Sequence, residues 1–110
     1  MEGNKMKNDE LFELAKQTFD KCLQTLHEKN HDYSTGGNDR VDALKNFKLV
    51  SYLGITDADT GLLVRMCDKM SRMANVYKGG AQVTDEQLQD TVMDTINYCI
   101  LLLAIKKDMK

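Results

Sequence analysis

Arg65, Lys69 and Arg72 fall at i, i+4 and i+7, so on a helix turning about 100° per residue they line one flank. Asp68 lies beside them. Asp90 and Asp94 repeat the i, i+4 spacing farther along the chain, and Asn97 and Tyr98 continue that row. Like charges in a row repel, so each row calls for an answering charge. In one arrangement the two rows face each other as salt bridges, each exposed pair contributing at most about 1 kcal/mol. In the other they border a polar pocket. Arg65, Lys69 and Arg72 would then hold phosphate, which suits multiple charged donors. Asp68, Asp90 and Asp94 would hold base and sugar hydroxyls or a divalent ion, since Mg²⁺ takes one or two carboxylates together with phosphate oxygens and water.

A second polar cluster supplies the other half of such a pocket. Asn30, Asp32 and Ser34 offer donors and acceptors, Tyr33 offers a ring on which a base can stack, and Gly36-Gly37 lets backbone approach a ligand. His27 and His31 have no second histidine at metal-site spacing and read as solvated. Met66, Met70 and Met73 stand at core spacing and read as packing.

Four amphipathic helices are needed to position these groups. Leu11, Phe12, Ala15, Phe19, Cys22, Leu23 and Leu26 predict a first helix to about Lys29, capped by Asn8 or Asp9, with residues 1–7 a disordered tail. Residues 30–40 are rich in turn formers and predict a loop. Asp42 opens a shorter helix through Leu44, Phe47, Val50 and Leu53 that Gly54 ends. Thr56 with Asp59 resembles a capping box for a third helix, which carries the methionine stripe to Gly79-Gly80. Thr84 with Gln87 caps a last helix through Leu88, Val92, Ile96, Cys99, Ile100 and Leu103. No proline and no alternating run competes, so the expected fold is all-α, an antiparallel bundle of about four helices in a single domain spanning residues 1–110.

Bulk properties narrow the function classes. A net charge of -2 gives no basic footprint for duplex DNA or an anionic membrane. Three cysteines, each in an apolar helical stretch, read as buried hydrophobes in a reducing, cytoplasmic setting. The N-terminus has no apolar leader, and the longest apolar run, from Tyr98 to Ile105, is too short to span a bilayer. That run is nonetheless apolar on every side, which a four-helix monomer struggles to bury, so a homo-oligomer is expected.

Four stretches in order, Lys29 to Ser34, Asn46-Phe47, Leu63 to Arg72 and Asp90 to Tyr98, resemble the nucleotide modification associated domain family, type 1, over roughly residues 10 to 105. That family is helical, frequent in bacteriophages, and similar more distantly to the all-α MazG-like nucleotide pyrophosphohydrolases. The resemblance implies a MazG-like fold, phage origin, nucleotide handling and a site in the host cell cytoplasm. The MazG-like acid pattern of Glu-x-x-Glu and Glu-x-x-Asp is not kept, and no nucleophile with a paired base, Walker loop or Rossmann fingerprint is present. The leading expectation is therefore a protein that binds a nucleotide without chemistry and without a cofactor, conceivably sequestering a cyclic nucleotide signal of host antiphage defence. An Mg²⁺-dependent nucleotide enzyme using Asp68, Asp90 and Asp94, and a purely structural helical module, stand as alternatives.

Overall fold

The apolar stripes fold as four helices: α1 (Asn8–Asn30), α2 (Lys45–Tyr52), α3 (Ala58–Lys78) and α4 (Asp85–Asp108). A computed structural model of the chain describes residues 5–38, 40–78 and 85–109, and among these there is no strand. Gly79-Gly80, Thr84 of the last capping box and the first four residues of the tail lie outside the described residues.

Helix ends depart from the caps read in the sequence. Lys7 occupies the N-cap of α1 and gives no side-chain cap, while Asp9 Oδ1 accepts from the N–H of Glu10 inside the first turn. Asp59 likewise faces its own turn, accepting from the Thr60 N–H at 2.9 Å and from Lys106 Nζ at 2.7 Å, so no box forms with Thr56. The Asp57 carbonyl instead accepts the first bond of α3, from the Gly61 N–H. Asp42 does not open α2. Its Oδ1 accepts from the Leu44 N–H in a turn, and the helix begins at Lys45. Gly54 ends α2 as expected, at φ 71°, where a side chain would be strained.

The largest departure follows α1. Helical structure does not stop at Lys29 but continues past Asn30 into one wide π-type turn over His31–Thr35, closed by an i→i+5 bond from the Gly36 N–H to the His31 carbonyl at 2.8 Å. Asn30 makes this turn stable. Its Oδ1 accepts from Thr35 Oγ1 at 3.1 Å and its Nδ2 donates to the Ala43 carbonyl at 2.9 Å, tying the turn to the approach to α2. Local turn propensity was read correctly at Gly36, φ 58°, and Gly37, φ 82°, but five residues too early for the rest.

α4 is the middle of the assembly, packed against both α1 and α3, while α2 leans on α3 and on the wide turn. Asp59–Lys106 at 2.7 Å and Lys69–Asp94 at 3.1 Å show that α3 and α4 run antiparallel. At the α2 end of the bundle, Leu44, Leu62 and Ile105 are buried, with Phe47, Tyr98, Leu101 and Leu102 packed on them. Lys48 clasps the same end, pairing with Asp42 and with Asp108 at 2.8 Å. Cys22 is buried between α1 and α4, whereas Cys67 and Cys99 are exposed, so only one cysteine is the core residue that its apolar surroundings suggested. Among the described helices α4 is long and apolar enough to cross a membrane, with mean hydropathy 1.2. It also carries Asp94 and Asn97, whose partners lie on α1 and α3.

Candidate functional site

A pocket of about 280 Å³ opens where the end of α1, the wide turn, α2, α3 and α4 meet. Leu26, Lys29, Asn30, Tyr33 and Ser34 form one wall, Asn46 and Phe47 a second, Arg65 a third, and Asp94, Asn97, Tyr98 and Leu101 the floor. Leu26, Lys29, Asn30 and Tyr33 share a face because helical spacing of three and four residues runs on through Asn30. That volume lies just below the ~300–1,000 Å³ of pockets for drug-sized ligands.

The sequence-derived residues divide. Asn30, Tyr33, Ser34, Arg65, Asp94, Asn97 and Tyr98 come together in the pocket. Asp32 does not, and its Oδ1 lies 3.2 Å from His31 Nδ1, both side chains being mostly exposed. Asp68, Arg72 and Asp90 are exposed and do not line it. Asn30 reaches it only in part, because both ends of its amide already brace the wide turn. Lys29, Asn46 and Phe47 were missed as site residues, although the ordered motifs include them. Extending the α1 pattern beyond Lys29 would have exposed Lys29 as a neighbour of Tyr33.

Charge in the pocket is organised around Asp94. Lys29 Nζ donates to its Oδ1 at 3.0 Å and Lys69 Nζ to its Oδ2 at 3.1 Å. Partial burial alone would raise this carboxyl, but the two ammonium groups outweigh that and hold it below its ordinary value. Burial, and then the Asp94 charge, push the Cys22 thiol up. Of the two facing rows, then, only Lys69 and Asp94 meet. Arg65 lies instead with its guanidinium carbon 5.2 Å from the centre of the Phe47 ring, a cation–π distance that leaves its N–H edge free to bind.

Asn97 is 6% exposed. Its Nδ2 donates to the Cys22 carbonyl at 3.1 Å, and its Oδ1 is buried without a hydrogen-bond partner.

The acids do not fit a metal centre. Among the described residues no three His, Cys, Asp or Glu side chains converge, so Asp68, Asp90 and Asp94 form no ligand set, and both oxygens of Asp94 are engaged by lysines. The arrangement is suited to holding an anion beside a flat, polar-edged group. No protein-family model, no curated protein and no solved structure matches the chain.

Proposed function

We propose that the protein binds a nucleotide in this pocket and holds it without chemical conversion. The observation that carries the reading is the convergence of Tyr33, Arg65, Asn97 and Tyr98 in one cavity of nucleotide-ligand size. Lys29, Lys69 and Arg65 face one carboxylate, Asp94, which leaves a surplus of two positive charges, three minus one, for phosphate. Tyr33 and Phe47 supply rings against which a base can lie. No general base paired with a nucleophile is among the pocket residues, and capture needs none. The motif resemblance extends the proposal to a phage protein of the host cytoplasm that withdraws a nucleotide signal, cyclic ones included, from antiphage defence.

The oligomer forms part of the same proposal. Accessible surface of 8735 Å² compares with about 6,200 Å² for a monomer of 12.5 kDa, and the radius of gyration of 16.8 Å with about 13 Å for this length. An excess of about 2,500 Å² per protomer is on the scale of obligate homo-oligomeric interfaces. Phe12, Phe19 and Leu23 share one face of α1 at 65%, 59% and 67% exposure, and Leu103 of α4 is 73% exposed. A second copy of the chain covering these faces would remove the excess.

A thermal-shift titration with mono-, di- and cyclic nucleotides, with and without Mg²⁺, tests the binding. A metal-independent rise in Tm supports it, together with intact ligand recovered after heat denaturation. Product in excess of protein would establish an enzyme instead. No shift with any nucleotide would leave a structural module.

A further inference from the structure

Within the pocket the buried polar group is an acceptor and the exposed ones are cations. Asn97 is 6% exposed, whereas the Lys29 side chain is 52% exposed and Arg65 is exposed. The orientation of the Asn97 amide is forced, because the Cys22 carbonyl 3.1 Å from Nδ2 can only accept, and a flipped amide would set oxygen against oxygen. Oδ1 is therefore the atom left buried and unpartnered, a state that native interiors avoid unless something else supplies the donor.

Resting on the nucleotide reading above, we infer that Asn97 Oδ1 accepts a hydrogen bond from the exocyclic amine of the bound nucleobase, making the protein selective for amine-bearing bases. A ligand anchored by phosphate at Lys29 and Arg65 presents its far end to Asn97. In a nucleotide that far end is the edge of the base, with the sugar lying between. Phe47 and Leu101 flank this part of the pocket and suit the faces of a flat ring. Asp94 does not compete for the amine, since both its oxygens are taken by Lys29 and Lys69. An analogue without the amine leaves Oδ1 buried and unpaired in the complex as well, the circumstance in which hydrogen-bonding sites discriminate most strongly.

Calorimetric titration of the intact protein with three ligand pairs tests this: adenosine against purine riboside, guanosine against inosine, and cytidine against the pyrimidin-2-one riboside, each as the 5′-monophosphate and the 3′,5′-cyclic monophosphate. The amine-bearing member of at least one pair should bind about tenfold tighter or more, and Asn97→Ala should erase that preference. Equal affinities within every pair that binds would overturn the amine assignment and leave the nucleotide reading standing. No binding by any member would overturn both. If Asn97→Ala fails to fold, which circular dichroism would reveal, the ligand pairs on the unaltered protein decide the question by themselves.

Discussion

Lys29 of α1 and Lys69 of α3 are held together through a single carboxylate, at 3.0 and 3.1 Å from the two oxygens of Asp94 on α4. Three helices thereby share one charge. Asp94→Asn keeps the shape and removes the charge, so it should destabilise the fold by about 1–2 kcal/mol, a value kept low because the Lys29 side chain is half exposed. Urea unfolding at neutral pH measures this. The freed lysines should also bind inorganic phosphate severalfold more tightly than in the parent protein, which calorimetry reads.

The same pairing makes stability depend on acid. Lys29 and Lys69 outweigh the opposing effect of burial and hold the Asp94 carboxyl below 3.8; Lys48 and the Leu44 N–H lower Asp42, and Lys106 and the Thr60 N–H lower Asp59. A depressed carboxyl contributes stability above its unfolded value of 3.8, and that contribution is lost as pH falls through the lower folded value. The stability gap between the parent protein and Asp94→Asn should therefore be full near neutral pH and should close by about pH 2–3. A gap unchanged over that range would show that the ion pairs contribute nothing.

Tyr33 is 67% exposed, so the fold gains little from its ring. Tyr33→Ala should leave the unfolding midpoint nearly unchanged while weakening nucleotide binding by roughly tenfold, within the ~1–3 kcal/mol given by a stacked base. Arg65→Ala should weaken phosphorylated ligands more than the matching nucleosides. A comparable loss for both would assign Arg65 to shaping Phe47, 5.2 Å away, rather than to the anion.

Gly61 marks the closest approach of α2 and α3. A Cβ at this position would lie 2.8 Å from Val50 Cγ1, and a β-branched side chain has little freedom to move aside. Gly61→Ala should thus cost about 1–2 kcal/mol, even though alanine favours a helix interior by roughly 1 kcal/mol over glycine. In a Val50→Ala background the same change should become neutral or stabilising, and thermal melts of the two pairs would show it.

Self-association is testable separately from ligand. Sedimentation should give a mass that is a multiple of 12.5 kDa, and Phe19→Asp with Leu23→Lys should return it to the single-chain value. A parent protein already sedimenting as one chain would refute the covered α1 face.

Much of the helical order was legible because apolar spacing is a property of neighbours in sequence. Gly54 ended its helix where expected since a left-handed position there suits glycine, and the pocket was anticipated at Tyr33, Arg65, Asp94 and Asn97 because their rows lie on definable helix faces. What escaped depends on distant partners. Turn-forming residues from Asn30 to Thr35 stay helical because Asn30 bonds to Ala43, thirteen residues away. Arg65, Lys69 and Arg72 form one row by spacing but meet three environments: an aromatic ring, a carboxylate and solvent. Nothing in the sequence distinguishes Asp94 from Asp90, yet only the former lies between two lysines.

The wide turn over His31–Thr35 has one residue more between its bonded groups than an ordinary α-helical turn. In effect it is a tolerated insertion that re-phases everything after it by about a quarter of a revolution. Deleting one residue from this stretch should leave a continuous helix with Tyr33 or its successor rotated away from Arg65. The binding face of α1 is thus set by chain length as much as by residue type, and a single-codon deletion there would abolish it with every contacting side chain intact.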